Sequence, residues 1–277
     1  MLVLMLALRA SAGGLAASTS WRKRGNSMLH SVPNAYRTPS GSVYAPFLRL
    51  ADRPHLLIAG ATGSGKSVAL TGIINSLLMT QSPFNCQFVL IDPKRVELIQ
   101  YSDLPHVARY ASDHPDIVRA LQWAMDETDR RFSAMQARSI REYDGPHLYV
   151  VIDELADLMV SIKKETLPLL QRLAQIGRAA RVHVIACSQN VMAQTIPTVL
   201  KCNFSTVLGL RTMNKQQSNM LISAGGCEML PDPKREGKGY GFLRDGADLE
   251  KLLIYKYPDH VVSSLLTWWT TSACIAS

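Results

Sequence analysis

The feature that most constrains this chain is a glycine-rich segment at residues 55–67, HLLIAGATGSGKS. A short apolar run leads into the segment, and a Lys-Ser pair closes it where a helix is expected to begin. Two glycines separated by four residues and followed by Lys-Ser have the spacing of the phosphate-binding P-loop. A strand, loop and helix in this order favour a nucleotide site over an ordinary glycine turn.

Each part of this loop has a chemical role in holding a nucleotide. The loop must turn its backbone N–H groups inward, and Gly60, Gly63 and Gly65 can take the positive φ angles that this requires. The helix N-terminus adds positive charge, and the Lys66 ammonium can reach the β- and γ-phosphates. The Ser67 hydroxyl is placed to ligate Mg²⁺. The predicted nucleotide-binding residues are Gly60, Ala61, Thr62, Gly63, Ser64, Gly65, Lys66 and Ser67.

The composition is that of a soluble globular protein. The chain has 277 residues, of which 47% are hydrophobic and 19% charged, which is enough to form a full core. Its five cysteines are far apart and form no CxxC pair. This pattern favours reduced thiols in an intracellular protein over disulfides or a zinc site.

The basic charge is concentrated in the N-terminal segment. Residues 1–54 contain seven Lys or Arg and one acidic residue, although the net charge of the whole chain is +8. The chain opens with eight apolar residues, a run too short for a membrane span and without the preceding basic residues of a secretory signal. We therefore expect an irregular basic segment at 1–54. A membrane-proximal role is the less favoured alternative, suggested by the WRKR cluster that follows.

From residue 55 onward, strand and helix patterns alternate. This alternation predicts an α/β fold with a mostly parallel central sheet flanked by helices, and a ligand at the carboxyl ends of its strands. The predicted strands are 56–59, 87–91, 148–152, 182–187 and 206–210, with a short β pair at 239–243 and 252–257. The predicted helices are 68–79, 117–135 and 167–176.

A second motif, LYVVIDE, ends a predicted buried strand with two acidic residues. Asp153 can hold the hydration shell of a P-loop Mg²⁺, and Glu154 is placed to activate the attacking water as a general base. Two acids that merely cap a strand would be the simpler explanation if the P-loop were absent. Together the two motifs favour hydrolysis of ATP with Mg²⁺.

Four segments resemble the motor domain of FtsK/SpoIIIE-type DNA translocases. They are HLLIAGATGSGKS, VLIDPKRVEL, YVVIDELADLM and QRLAQIGRAARVHVIACSQ, and the resemblance covers about residues 54–257. It implies a RecA-like P-loop NTPase that assembles as a homo-oligomeric ring, usually a hexamer, and pulls double-stranded DNA through its centre. On this basis the chain divides into the N-terminal segment, an ATPase motor domain at 55–260 and a C-terminal tail at 261–277.

The resemblance assigns roles to residues that their local sequence does not explain. Arg178 matches the arginine finger, which would reach across a subunit boundary to the γ-phosphate. Without the resemblance, it would read as an arginine at a helix C-terminus. Gln189 matches the sensor glutamine, which would position water or detect the γ-phosphate. Asp92 and Lys94 match a family motif without a firm chemical role, and we expect a salt-bridged loop there.

DNA contact has the weakest sequence signal. A translocating ring contacts phosphates from loops that face its pore, and it needs no base readout. The candidates are Lys201, Arg211 and Lys215, for which a solvated surface is the equal alternative. Asn190-Val191 replaces the Arg-Pro that commonly follows the sensor glutamine, and no C-terminal winged-helix module is recognisable.

Three functional hypotheses follow from these motifs. The first is an ATP-dependent DNA translocase for chromosome segregation, conjugation or mobile-element transfer. It would be cytoplasmic, at the inner face of the membrane if a membrane-associated partner recruits it. The second is a related ATPase that moves protein, as in type VII secretion. The third is a nucleotide-binding switch without useful turnover, which the full set of motif residues disfavours.

Overall fold

The computed structural model describes residues 54–189 and 196–273, together with four short strands earlier in the chain. These strands form two antiparallel pairs, β1 with β4 and β2 with β3. They are β1 (Ser31–Pro33), β2 (Tyr36–Arg37), β3 (Val43–Tyr44) and β4 (Phe47–Arg49). The segment predicted to be irregular thus contains paired strands, and its opening apolar run lies outside the described residues.

The centre of the fold is an eight-stranded sheet in the order β12-β11-β10-β5-β9-β8-β6-β7. Six neighbouring strands, from β10 to β7, are parallel, and β11 and β12 are added antiparallel. The strands are β5 (His55–Ala59), β6 (Cys86–Ile91), β7 (Val107–Ala111), β8 (His147–Ile152), β9 (Val182–Ser188), β10 (Thr206–Leu210), β11 (Gly239–Asp245) and β12 (Asp248–Ile254). This confirms the predicted α/β architecture.

Helices cover both faces of the sheet and enclose two apolar cores. One core contains side chains of α2, α3, α4 and α6, and the other contains side chains of α1 and α8. The helices are α1 (Lys66–Thr80), α2 (His114–Ala137), α3 (Leu155–Ser161), α4 (Lys163–Ile176), α5 (Thr198–Lys201), α6 (Lys215–Ile222), α7 (Pro233–Glu236) and α8 (Asp259–Ala273). Burial on both faces explains the near-continuous apolar runs of the central strands.

The sheet differs from the sequence prediction at its two edges. Strand β7 was not predicted because only Ala111 of its five residues is fully buried, which leaves no apolar run. Strand β12 was expected at 252–257 but begins at Asp248, because a turn at Gly246 pairs Asp248 with Asp245. Its first four residues are exposed, so the hydrophobic pattern marked only its second half.

The segment predicted to be a C-terminal tail contains most of helix α8. Leu265 is buried against the core, and the indole N–H of Trp269 donates a hydrogen bond to the Leu78 carbonyl of α1 at 3.0 Å. A cavity of about 220 Å³ lies between α8 and α1, with Val68 on its wall. The proposed boundary at residue 261 therefore falls inside a helix, although the domain division itself remains a prediction.

Two further features concern the length of the helices and the state of the cysteines. None of the helices in the described ranges is both long and apolar enough to cross a bilayer. Cys86, Cys187, Cys202 and Cys227 have free thiols, as the sequence predicted for them. Burial raises the pKa of the first two thiols well above the usual range, so neither is poised as a nucleophile.

Candidate nucleotide-binding site

The glycine-rich segment forms a loop between β5 and α1, as the sequence predicted. Gly63 and Gly65 have φ angles of 77° and 98°, which side-chain-bearing residues rarely adopt. Gly60 does not have a positive φ, so our expectation for it was wrong. It is required for close packing instead, because a Cβ there would lie 2.8 Å from both Leu210 Cβ and Ser64 Oγ.

Lys66 is the first residue of α1 and lies inside the loop. Its side chain is almost completely buried, and its ammonium donates hydrogen bonds to the carbonyls of Gly60 and Ala61, both at 2.9 Å. Burial lowers the pKa of Lys66, and the negative charge of Glu154 opposes that shift. The lysine is therefore held at the centre of the loop, where a phosphate group would sit.

The two predicted acids follow β8, at the same carboxyl-terminal end of the parallel strands as the loop. The side chain of Glu154 is only 3% exposed. Its Oε1 accepts from the backbone N–H groups of Ala156 at 3.4 Å and Gln189 at 3.1 Å. Its Oε2 lies 3.5 Å from the ammonium of Lys94. Packing and hydrogen bonds thus fix the orientation of this carboxylate.

Gln189 connects the glycine-rich loop to the acidic pair. The Thr62 hydroxyl donates to the Gln189 side-chain oxygen at 2.9 Å, and the Gln189 N–H donates to Glu154. One residue directly after β9 therefore contacts both halves of the site. The Asn190-Val191 departure lies outside the described residues.

Asp153 lies in an environment that favours a cation. Burial raises its pKa from 3.8 to about 6, and the negative charges of Asp92 and Glu97 add to the shift. Asp92 is itself fully buried and leaves Oδ1 without a hydrogen-bond partner. Among the described residues, no three His, Cys, Asp or Glu side chains group closely enough to hold a metal alone. A Mg²⁺ held by the Ser67 hydroxyl and Asp153, as the sequence predicts, would take its remaining ligands from phosphate oxygens and water.

Lys94 and Asp92 have distinct roles in the loop that follows β6. Lys94 forms ion pairs at 3.5 Å with both Glu154 and Asp157, which confirms the salt-bridged loop for this residue. Asp92 instead accepts a hydrogen bond from the Leu98 N–H at 2.9 Å, so it shapes the loop without an ion pair. Lys94 is thus a neighbour of the predicted general base.

Arg178 lies far from the glycine-rich loop of its own chain. It is exposed on the turn at 177–181, which joins α4 to the start of β9, whereas the loop and Gln189 lie at the ends of their strands. The seven residues of β9 separate these two edges by roughly 20 Å. The chain therefore does not bring its predicted finger to its own nucleotide site.

The three candidate DNA contacts do not form one surface. Lys201 precedes β10, at the end of the parallel strands opposite the loop. Arg211 and Lys215 follow that strand, at the same end as the loop. Lys201 is half-buried, and burial together with the charge of Arg244 lowers its pKa. The Arg211 carbonyl accepts from the Ala61 N–H at 2.8 Å, so Arg211 belongs to the surroundings of the nucleotide loop.

Sequence reasoning missed a second lysine beside the loop. A Cβ on Gly63 would lie 3.1 Å from Cε of Lys234, which is on the short helix α7. Asp232 accepts from the Lys234 N–H and pairs with Arg211 at 3.2 Å, and these contacts hold the two basic residues near the loop. No local pattern marks Lys234 because every element from α1 to α6 lies between it and the loop in the sequence.

The parallel sheet, the loop at the N-terminus of α1 and the acids after β8 define a RecA-like P-loop NTPase fold. A sequence profile of the FtsK/SpoIIIE family matches residues 16–147 and 141–193. The chain belongs to this family.

Curated relatives support the same assignment. The chain is 35% identical over 203 residues to the DNA translocase FtsK of Staphylococcus epidermidis, which covers 66% of this chain and 26% of the relative. It is 34% identical over 197 residues to the DNA translocase FtsK of Borreliella burgdorferi, covering 65% and 25%. The chain thus spans about a quarter of the length of these relatives.

Solved structures share the fold at lower identity. The pCW3 conjugation coupling protein TcpA, in a monomer form with ATPγS, superposes with a TM-score of 0.72 at 22% identity, over 86% of this chain and 70% of that one. The cytoplasmic domain of the type VII secretion ATPase EccC from Thermomonospora curvata gives 0.71 at 24%, over 88% and 30%. These likenesses establish the fold alone.

Proposed function

We propose that this chain is an ATP-dependent motor that moves double-stranded DNA, with residues 55–260 as its ATPase motor domain. The observation that carries the proposal is the hydrogen-bonded connection from Thr62 through Gln189 to Glu154. It joins the loop that would hold ATP to the carboxylate that would activate water. Such a connection would let the carboxylate respond to the state of the nucleotide loop.

The site supplies a residue for each step of ATP hydrolysis. Lys66 and the N–H groups of the loop would bind the phosphates, and Ser67 and Asp153 would hold a Mg²⁺ that neutralises the phosphate charge. Glu154 removes a proton from the attacking water. Gln189, which contacts Thr62 in the loop, detects the γ-phosphate and transmits its loss to Glu154.

We further propose that the active unit is a homo-oligomeric ring, with six subunits as in the family to which the chain belongs. Arg178 is exposed at the end of the sheet opposite the glycine-rich loop. The guanidinium that reaches the γ-phosphate of one subunit must therefore come from Arg178 of a neighbouring subunit. In that position it would stabilise the charge of the transition state. Hydrolysis would then depend on both members of each subunit pair.

Double-stranded DNA is the substrate that the sequence relatives favour, because they carry the name DNA translocase. Lys201 and Lys215 remain our candidates for phosphate contacts, whereas the ion pair with Asp232 makes Arg211 the weaker one. Phosphate contacts of this kind would make binding strongly dependent on salt. A membrane-associated partner could recruit the ring to the inner face of the membrane.

The test is ATP hydrolysis with and without linear duplex DNA. We expect DNA to stimulate turnover, and Glu154→Gln to lower the stimulated rate by roughly 10²- to 10⁴-fold while ATP binding persists. Asp157→Asn is the matched control because Asp157 pairs with the same lysine, Lys94, but lies outside the proposed catalytic set. It should keep most of the activity.

Other outcomes would assign a different function. Turnover that responds to peptides and not to DNA would identify a protein-moving ATPase, whose fold this chain also shares. Tight ATP binding without hydrolysis, even with DNA at high protein concentration, would identify a nucleotide switch. Either result would contradict the proposed DNA motor.

A further inference from the structure

Helix α2 contains a charged side chain that the proposed catalytic cycle does not use. Arg131 is completely buried, with a side-chain exposure of 0%, whereas its neighbour Arg130 is 60% exposed. Both arginines pair with Glu127, at 2.7 Å and 2.6 Å respectively. A buried guanidinium is costly unless its N–H groups are satisfied, so its other contacts indicate why it is there.

Those contacts are to the backbone around the 177–181 turn. One terminal nitrogen of Arg131, Nη1, donates to the carbonyl of Ala180 at 2.9 Å and lies 3.3 Å from that of Arg181. The same nitrogen donates to the Pro146 carbonyl, just before β8, at 2.9 Å. A single side chain therefore joins α2, the start of β8 and the turn that carries Arg178.

The turn needs this support because its backbone is constrained. Arg181 has a φ of 54°, in the left-handed region that is unfavourable for a residue with a side chain. Gly177 is packed so closely that a Cβ would lie 2.5 Å from the carbonyl oxygens of Leu173 and Val182. Arg178 projects from this tight turn into solvent, so its direction depends on how the turn is held.

We propose that Arg131 is a positioning residue, which fixes the 177–181 turn so that Arg178 is presented to the nucleotide of the neighbouring subunit. This inference rests on the proposed role of Arg178 in trans. It predicts that loss of Arg131 impairs the site of the neighbour and spares the nucleotide site of its own chain. A role in general stability would impair both.

Subunit mixing separates these two possibilities. Arg131→Lys keeps the charge next to Glu127 but removes the forked donor, and we expect ATP turnover to fall at least tenfold with little change in ATP binding. Lys66→Ala has the complementary defect, an inactive nucleotide site with an intact 177–181 turn. In a 1:1 mixture, about a quarter of the interfaces combine the intact halves, so activity should reappear. Arg130→Lys is the matched control and should stay near wild type.

A second mixture, of Arg178→Ala with Lys66→Ala, distinguishes failure of this inference from failure of the proposed function. If Arg178→Ala recovers activity with Lys66→Ala but Arg131→Lys does not, Arg131 is not a positioning residue. If neither mixture recovers activity, the trans finger itself is wrong and the inference falls with it. If Arg131→Lys fails to fold, Glu127→Gln replaces it, because it removes the ion pair of Arg131 and leaves the arginine in place. We expect Glu127→Gln to lose less ATP turnover than Arg131→Lys and to recover it in the mixture with Lys66→Ala.

Discussion

At the level of single residues, the candidate site is a set of charged side chains that are buried or partly buried. Lys66 is buried among loop carbonyls, and Glu154 is buried against backbone N–H groups. Burial raises the pKa of Asp153, and the nearby negative charges of Asp92 and Glu97 add to the shift. We therefore expect the charge of Asp153 to lower the free energy of unfolding of the nucleotide-free protein. The size of this effect should depend on pH.

We predict that Asp153→Asn stabilises the nucleotide-free protein, more so at pH 8 than at pH 5. Because folding raises the pKa of Asp153 from 3.8 to about 6, the free energy of unfolding falls as the pH rises through this window. The amide removes that penalty, which is worth about 1–2 kcal/mol at pH 8 after allowance for partial exposure. Thermal unfolding at the two pH values measures the difference.

Asp157→Asn is the control for this experiment, because Asp157 is 46% exposed and already paired with Lys94. It should change the unfolding temperature little at either pH. An Asp153→Asn gain of equal size at pH 5 and pH 8 would show that the charge of Asp153 is not the cause. Bound Mg-ATP should reverse the order of stability by binding wild type more tightly.

At the level of elements, α8 completes the core on the face of the sheet that carries α1. Trp269 donates to the Leu78 carbonyl, and its ring meets His106 edge-on with centroids 4.4 Å apart. Its neighbour Trp268 is 41% exposed. The helix therefore supports the element whose first turn forms the nucleotide site.

We predict that Trp269→Ala lowers the free energy of unfolding by about 2–3 kcal/mol, because it removes a large packed ring and its hydrogen bond. Trp268→Ala is the matched control, and its effect should stay below about 1 kcal/mol. Urea denaturation of the two variants measures both values. Equal losses would mean that α8 does not pack through the Trp269 face.

The sequence predicted the core strands well because each is an apolar run covered on both faces. It predicted the nucleotide loop and the acids after β8 because their chemistry depends on local order along the chain. It could not predict β7, whose exposed edge residues leave no pattern. Nor could it predict Lys234 or Arg131 as partners of distant loops, because those contacts depend on tertiary packing.

At the level of the whole molecule, the sheet separates two halves of one proposed catalytic site. The residues that would hold ATP lie where β5 and β9 end, and Arg178 lies where β9 begins. Such an arrangement can work only when a neighbouring copy of the chain places its Arg178 beside this nucleotide site. The proposed ring would then couple each hydrolysis event to a neighbour, which is what stepwise movement along DNA requires.

The most direct test of the proposed motor is release of a third strand from a duplex that carries a short triplex. We predict that wild type displaces the third strand only when it hydrolyses ATP, and that Lys66→Ala and Glu154→Gln do not displace it. DNA-stimulated hydrolysis that leaves the third strand in place would contradict the account. So would equal displacement by the Lys66→Ala variant.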